Sequence, residues 1–192
     1  MLFAAAMAQP DCVETSFHRA ARPSLSGETL TVDSDDGRFR VHYTLEGNDK
    51  PGGDMGADGV PVMVDRALDA MAIGAETFAK RGYRSFEQDA GKGGSKAIDI
   101  YLKQVDANGY ANADPGEGDR SSCFIRLDPD LGSLGGQMVE SVAIHELHHC
   151  VQFAYTTDTN SFMYESTATY EQYLTLMDEG LQLALNVLYV ER

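Results

Sequence analysis

Positive charge is scarce in this chain. Its 192 residues carry 15 Lys and Arg against 30 Asp and Glu, a formal net charge of −15. Nucleic acid and anionic membrane surfaces both select basic faces, so neither is an expected partner. No run of about eighteen apolar residues occurs, which excludes a membrane-spanning helix. No internal repeat is visible, and the length suits one domain, or one and a piece of another, with a real core. Two familiar ligand loops are also missing. Gly91-Lys92-Gly93-Gly94-Ser95 lacks the G-x-x-x-x-G-K-[ST] spacing of a phosphate loop and reads as a linker. Asp54 and Asp58 lie in a Gly- and Asp-rich loop from Gly47 to Gly59 without the D-x-[DN]-x-[DN]-G spacing, so a Ca²⁺ site there is unsupported.

Leu2 to Ala8 is a short apolar run of small residues, and Ala6-Met7-Ala8 before Gln9 fits the A-x-A cleavage rule, although a basic n-region is missing. The favoured reading is residues 1–8 as the remnant of a signal peptide and a secreted or periplasmic domain over 9–192; an ordinary N-terminal strand or helix is the alternative. The chain has three cysteines. In an oxidising compartment Cys123–Cys150 is the favoured bridge, tying the helix of Cys150 to the strand before it, with Cys12–Cys150 the other pairing. Three buried free thiols are the alternative in a reducing one.

Histidine is scarce too, five in all, yet three of them fall within Ile144-His145-Glu146-Leu147-His148-His149-Cys150. His145-Glu146-x-x-His149 is the H-E-x-x-H pattern. Apolar Met138, Val139, Val142, Ala143, Leu147, Val151 and Ala154 recur at helical spacing, which predicts an amphipathic helix beneath it. Residues four apart lie about 40° apart around a helix axis, so His145 and His149 can share one ion. Two imidazoles and a third ligand leave a coordination position of Zn²⁺ open for water, and Glu146 stands where a general base can take that water's proton. His145 and His148 also share a face, but only the first pairing leaves Glu146 in the base position. His148 is then expected beside the ligands or facing solvent.

A metzincin reading fails, because Gln152 and Tyr155 occupy the positions of its glycine and third histidine. Phe162-Met163-Tyr164-Glu165-Ser166-Thr167-Ala168-Thr169-Tyr170-Glu171 offers two carboxylates on a second helix. Being about 600° apart around that helix, Glu165 and Glu171 cannot both meet the ion. Asp158, in a polar loop, is a weaker candidate.

In this run the chain resembles the gluzincin metallopeptidases, whose second helix supplies a Glu ligand. The resemblance implies Glu165 as that ligand, with Ser166 departing from the Gly or small apolar residue often found next. Arg38–Thr44, Ile98–Leu102 with Asn108-Gly109-Tyr110, and His145–Tyr155 are similar to successive blocks of a group of bacterial secreted metalloproteases. That resemblance implies a zinc-dependent endopeptidase acting on peptide or protein substrates. The alternatives are a non-catalytic zincin-like binding module, a fragment of a larger metallohydrolase, and a hydrolase of non-peptide substrates.

The expected fold is α+β, the N-terminal subdomain of a zincin with its small sheet and its helices, followed by a short or truncated C-terminal subdomain. Its parts are readable in order. Glu28 to Thr44 reads as a hairpin around Asp35-Asp36-Gly37, with His42 a packed strand residue. Pro61 to Arg81 reads as a helix stopped by Gly82, and Ala97 to Val105 as a strand. Asn108 to Asp119 reads as a polar loop. Cys123 to Leu127 reads as a second strand bordering the cleft, where substrate would add by β-augmentation. Leu181 to Val190 reads as one more helix.

Overall fold

The computed structural model describes residues 20–115, 118–158 and 160–180. The leader-like run, Cys12 and the helix expected from Leu181 lie outside them. The described residues form an α+β fold of five strands and four α-helices. The strands are β1 (Leu30–Asp33), β2 (Phe39–Tyr43), β3 (Ile98–Leu102), β4 (Gly109–Ala113) and β5 (Cys123–Leu127). The helices are α1 (Val62–Lys80), α2 (Leu131–Leu134), α3 (Gly136–Phe153) and α4 (Ser161–Asp178).

The sheet order is β1-β2-β3-β5-β4, with β2, β3 and β5 parallel and the outer strands antiparallel to their neighbours. The hairpin turns where expected, with Gly37 at φ +69°, a conformation that costs a residue with a Cβ. α1 carries the crossover between the parallel strands β2 and β3 and packs on β2. It follows Pro61 and ends before Gly82, whose φ is +84°.

Alternation along the strands sends Val41, Ile100, Ile125 and Leu127 into one core with Met71 and Phe78 of α1 and Ile144 and Leu147 of α3. Each of these large side chains is essentially fully buried, stabilising the fold by about 1.5–3 kcal/mol apiece. The opposite face of the sheet is closed by polar contacts. There the Arg22 guanidinium pairs with Asp89 at 2.6 Å, Asp99 at 2.8 Å and Asp114. His42 is a packed strand residue, 2.7 Å from Asp99 and stacked on Tyr101. No helix among the described residues is long and apolar enough to cross a membrane.

Two expectations fail. Residues 108–119 are not all loop, because β4 occupies Gly109–Ala113. Its glycine, asparagine and alanines carry little strand propensity, so pairing with β5 decides its conformation. In consequence Cys123–Leu127 cannot border a cleft: β5 is hydrogen-bonded on both sides, to β3 and β4. The edges of the sheet are β1 and β4, and β4 runs beside α3.

The bridge is Cys123–Cys150, the favoured pairing, joining β5 to α3. With its ends 27 positions apart in sequence, chain-entropy reasoning gives it about 3.5 kcal/mol of stabilisation.

Candidate metal centre

α3 was expected to be amphipathic, but it is buried on every side from Val139 to Val151. It lies among α1, α4, β4 and β5, and these neighbours sort its consecutive side chains by helical angle. His145 and His149 face α4, Glu146 faces β4, His148 faces α1, and Cys150 reaches β5.

α4 begins at an Asn160 cap whose side-chain oxygen accepts from the Phe162 N–H at 2.8 Å. That cap sets the helical phase. Glu165 is thereby turned toward α3, with Oε2 3.2 Å from His145 Nε2 and Oε1 3.6 Å from His149 Nε2. The two imidazole Nε2 atoms are 3.2 Å apart. His145, His149 and Glu165 form the one group of three or more candidate ligand residues among the described residues, with its donor atoms within 4.8 Å of one another. Bonds of about 2.0–2.2 Å from a tetrahedral ion imply ligand–ligand edges of about 3.3–3.6 Å, so the triangle is of the right size for zinc. The imidazoles are almost wholly buried while the Glu165 side chain is 49% exposed, which leaves one side of the cluster open to solvent.

The remaining acids are occupied elsewhere. Glu171 is buried and paired with Arg81, and Tyr83 Oη donates to it at 2.9 Å. Asp158 is exposed in the loop before α4.

Charge within the triangle is shared. Burial opposes protonation of His145, but its hydrogen bond to Glu165 and the nearby Glu146 and Glu165 carboxylates hold its pKa above the ordinary value. Burial and the neighbouring His145 push His149 down to about 4. Burial also works to raise Glu165, and its bond to His145 and the charges of both imidazoles outweigh that and lower it.

Glu146 is buried against β4. Its Oε2 accepts the Ala111 N–H at 2.7 Å, and burial raises its pKa to about 7. Gly109 makes the approach possible: a Cβ there would lie 3.0 Å from Glu146 Cγ and 3.0 Å from Val142 Cγ1.

His148 departs from its expected place beside the ligands or facing solvent. It is buried between Phe78 and Tyr83, edge-on to rings 5.2 and 5.3 Å away, and neither ring nitrogen has a hydrogen-bond partner. Burial, with the nearby His149, His145 and Arg81, pushes its pKa down to about 3. The unfolded chain binds that proton near pH 6.5, so from there down to about pH 3 unfolding takes up a proton. Stability from this group is full above about pH 6.5 and falls by up to about 1.4 kcal/mol per unit below it. His148→Phe is therefore expected to retain metal, to gain about 1 kcal/mol by removing unpaired polar atoms, and to lose this acid slope. Denaturant titrations of both proteins across that range, in chelator, check it. Equal acid sensitivity would show that the native imidazole is protonated or solvated.

Two residues at the centre were not anticipated in any role, Gln152 and Gln172. Gln152 Oε1 lies 2.6 Å from His149 Nδ1, and Gln172 Oε1 lies 3.2 Å from His145 Nδ1. The spacing of Gln152, three after His149 on one helix, was a usable signal. Gln172 gave none, since it arrives from another helix.

Comparison with known proteins adds no relative. Neither protein-family models, curated proteins nor solved structures match the chain.

Proposed function

We propose that this protein is a zinc-dependent metalloendopeptidase with a zincin-like, gluzincin-type centre. The observation that carries the reading is the convergence of His145, His149 and Glu165 in a triangle of tetrahedral size, open on one side, with the Glu146 carboxylate on the next face of the same helix. The donor set fits zinc: two imidazoles and one carboxylate, with a position to spare. When bound there, Zn²⁺ would supply Lewis-acid polarisation of a scissile carbonyl and lower the pKa of a bound water to about 7.

The chain's own residues supply the rest. Glu146 takes the water's proton and delivers it to the leaving amine. The Ala111 N–H holds that carboxylate in one orientation, and burial keeps its basicity near neutrality rather than in the ordinary carboxylate range. β4 is an edge strand beside Glu146; its Ala111 N–H and Ala113 carbonyl are already taken, by Glu146 and the Ala20 N–H, so an extended peptide would add to it through the main-chain groups they leave. The disulfide next to His149 favours an oxidising location such as the cell exterior or periplasm. The acidic surface argues against nucleic acid as a partner.

The test is hydrolysis of an unfolded protein substrate by the purified full chain. Cleavage that stops with chelator and returns with zinc supports the reading. A chain that binds zinc and cleaves nothing supports the binding-module alternative instead.

A further inference from the structure

We propose that Gln152 and Gln172 are positioning residues for the two histidines. Each ties α3 to α4 while it fixes an imidazole in the tautomer that can bind an ion. The inference rests on the metal reading above and deepens it.

Gln152 supplies the firmer half. Its Nε2 donates to the Tyr164 carbonyl at 2.9 Å and to Thr167 Oγ1 at 2.7 Å. A carbonyl only accepts, so the amide's NH₂ must lie on that side and its oxygen must face His149. Thr167 Oγ1 donates to the Met163 carbonyl at 2.7 Å, which leaves its lone pairs for Gln152. The neutral His149 ring must then carry its proton on Nδ1, 2.6 Å from Gln152 Oε1, and present the Nε2 lone pair to His145 and Glu165.

The same amide grips α4 on both sides of Glu165, at residues 164 and 167. One side chain thus sets the tautomer of one ligand and the seat of another.

Gln172 makes the reverse crossing. It lies seven residues after Glu165, on nearly the same face of α4. Its Oε1 faces His145 Nδ1 at 3.2 Å, and its Nε2 donates to Ser141 Oγ, one turn before His145 on α3. Gln172 and Ser141 are both buried, which keeps this contact to His145 inside the protein. Without these oxygens a neutral imidazole would hold its proton on Nε2 for part of the time, and that population cannot ligate.

Three proteins test this: wild type, Gln152→Met, which keeps length but removes both polar ends, and Gln152→Glu, which keeps an acceptor. Zinc affinity is read by chelator competition on the full chain. Gln152→Met is expected to bind about 10–100-fold more weakly, the usual cost of losing a ligand's supporting hydrogen bond, with Gln152→Glu recovering part of that loss. The readout that a merely structural role would not move is the ¹⁵N spectrum of the imidazoles in metal-free wild type. It should show neutral His149 protonated on Nδ1.

Wild-type affinity in Gln152→Met, no recovery in Gln152→Glu, or a mainly Nε2-protonated His149 would each overturn the proposal. Should Gln152→Met not fold, Gln172→Met gives the affinity test at His145, and the wild-type spectrum still decides the tautomer. A wild type that binds no zinc would instead sink the metal reading, a result separate from any difference among the variants.

Discussion

Glu146→Gln should keep zinc and fold while losing at least about 10²–10⁴ of the rate of peptide hydrolysis, the contribution of a positioned general base. The substitution is nearly isosteric, and its amide oxygen can still accept the Ala111 N–H that now binds Glu146 Oε2. What it removes is a carboxylate able to take a proton, in a site where burial has raised that group's pKa to about 7. The variant also no longer buries a charge, so its stability should not fall. Circular dichroism, zinc content and initial rates on one unfolded substrate separate these effects. Full activity in the variant would remove Glu146 from the mechanism. Loss of zinc would show that it helps to hold the ion.

The second large effect concerns the third ligand. Glu165→Ala should weaken zinc binding by more than the about 10–100-fold expected when an outer hydrogen bond is lost. Glu171→Ala should leave affinity near wild type but destabilise the fold, because it removes the acceptor of the Tyr83 hydroxyl and one of Arg81's two carboxylate partners, Asp178 being the other. Losing these hydrogen bonds to a buried carboxylate costs about 1–3 kcal/mol. Chelator competition and denaturant midpoints on the two variants give opposite patterns. If Glu171→Ala lost zinc and Glu165→Ala did not, the helical phase set by the Asn160 cap would be wrong.

Much of this arrangement was legible in the sequence because it is local. The hairpin about Gly37, α1 between Pro61 and Gly82, and the placing of His145, Glu146 and His149 on one helix all follow from spacing and turn chemistry. What escaped was decided by tertiary contact. β4 lacks branched and aromatic residues apart from Tyr110 and exists through its pairing with β5. That one missed strand made β5 read as an edge when it is an interior strand. α3 reads as amphipathic because polar Glu140, Ser141, His145, Glu146, His148 and His149 interrupt its apolar residues, yet all six are buried. Most of them find partners on other elements, which spacing along α3 cannot reveal. His148 finds none, and its burial between Phe78 and Tyr83 depends on how α1 lies across α3.

The measurement that tests the central claim most directly is zinc titration of the wild-type full chain, followed by X-ray absorption at the zinc edge. One ion per chain, held by two imidazole nitrogens and carboxylate oxygen at about 2.0–2.2 Å, with a further light ligand from water, is the predicted result. Saturation well below one zinc per chain, or a zinc shell with fewer than two imidazoles, would contradict it.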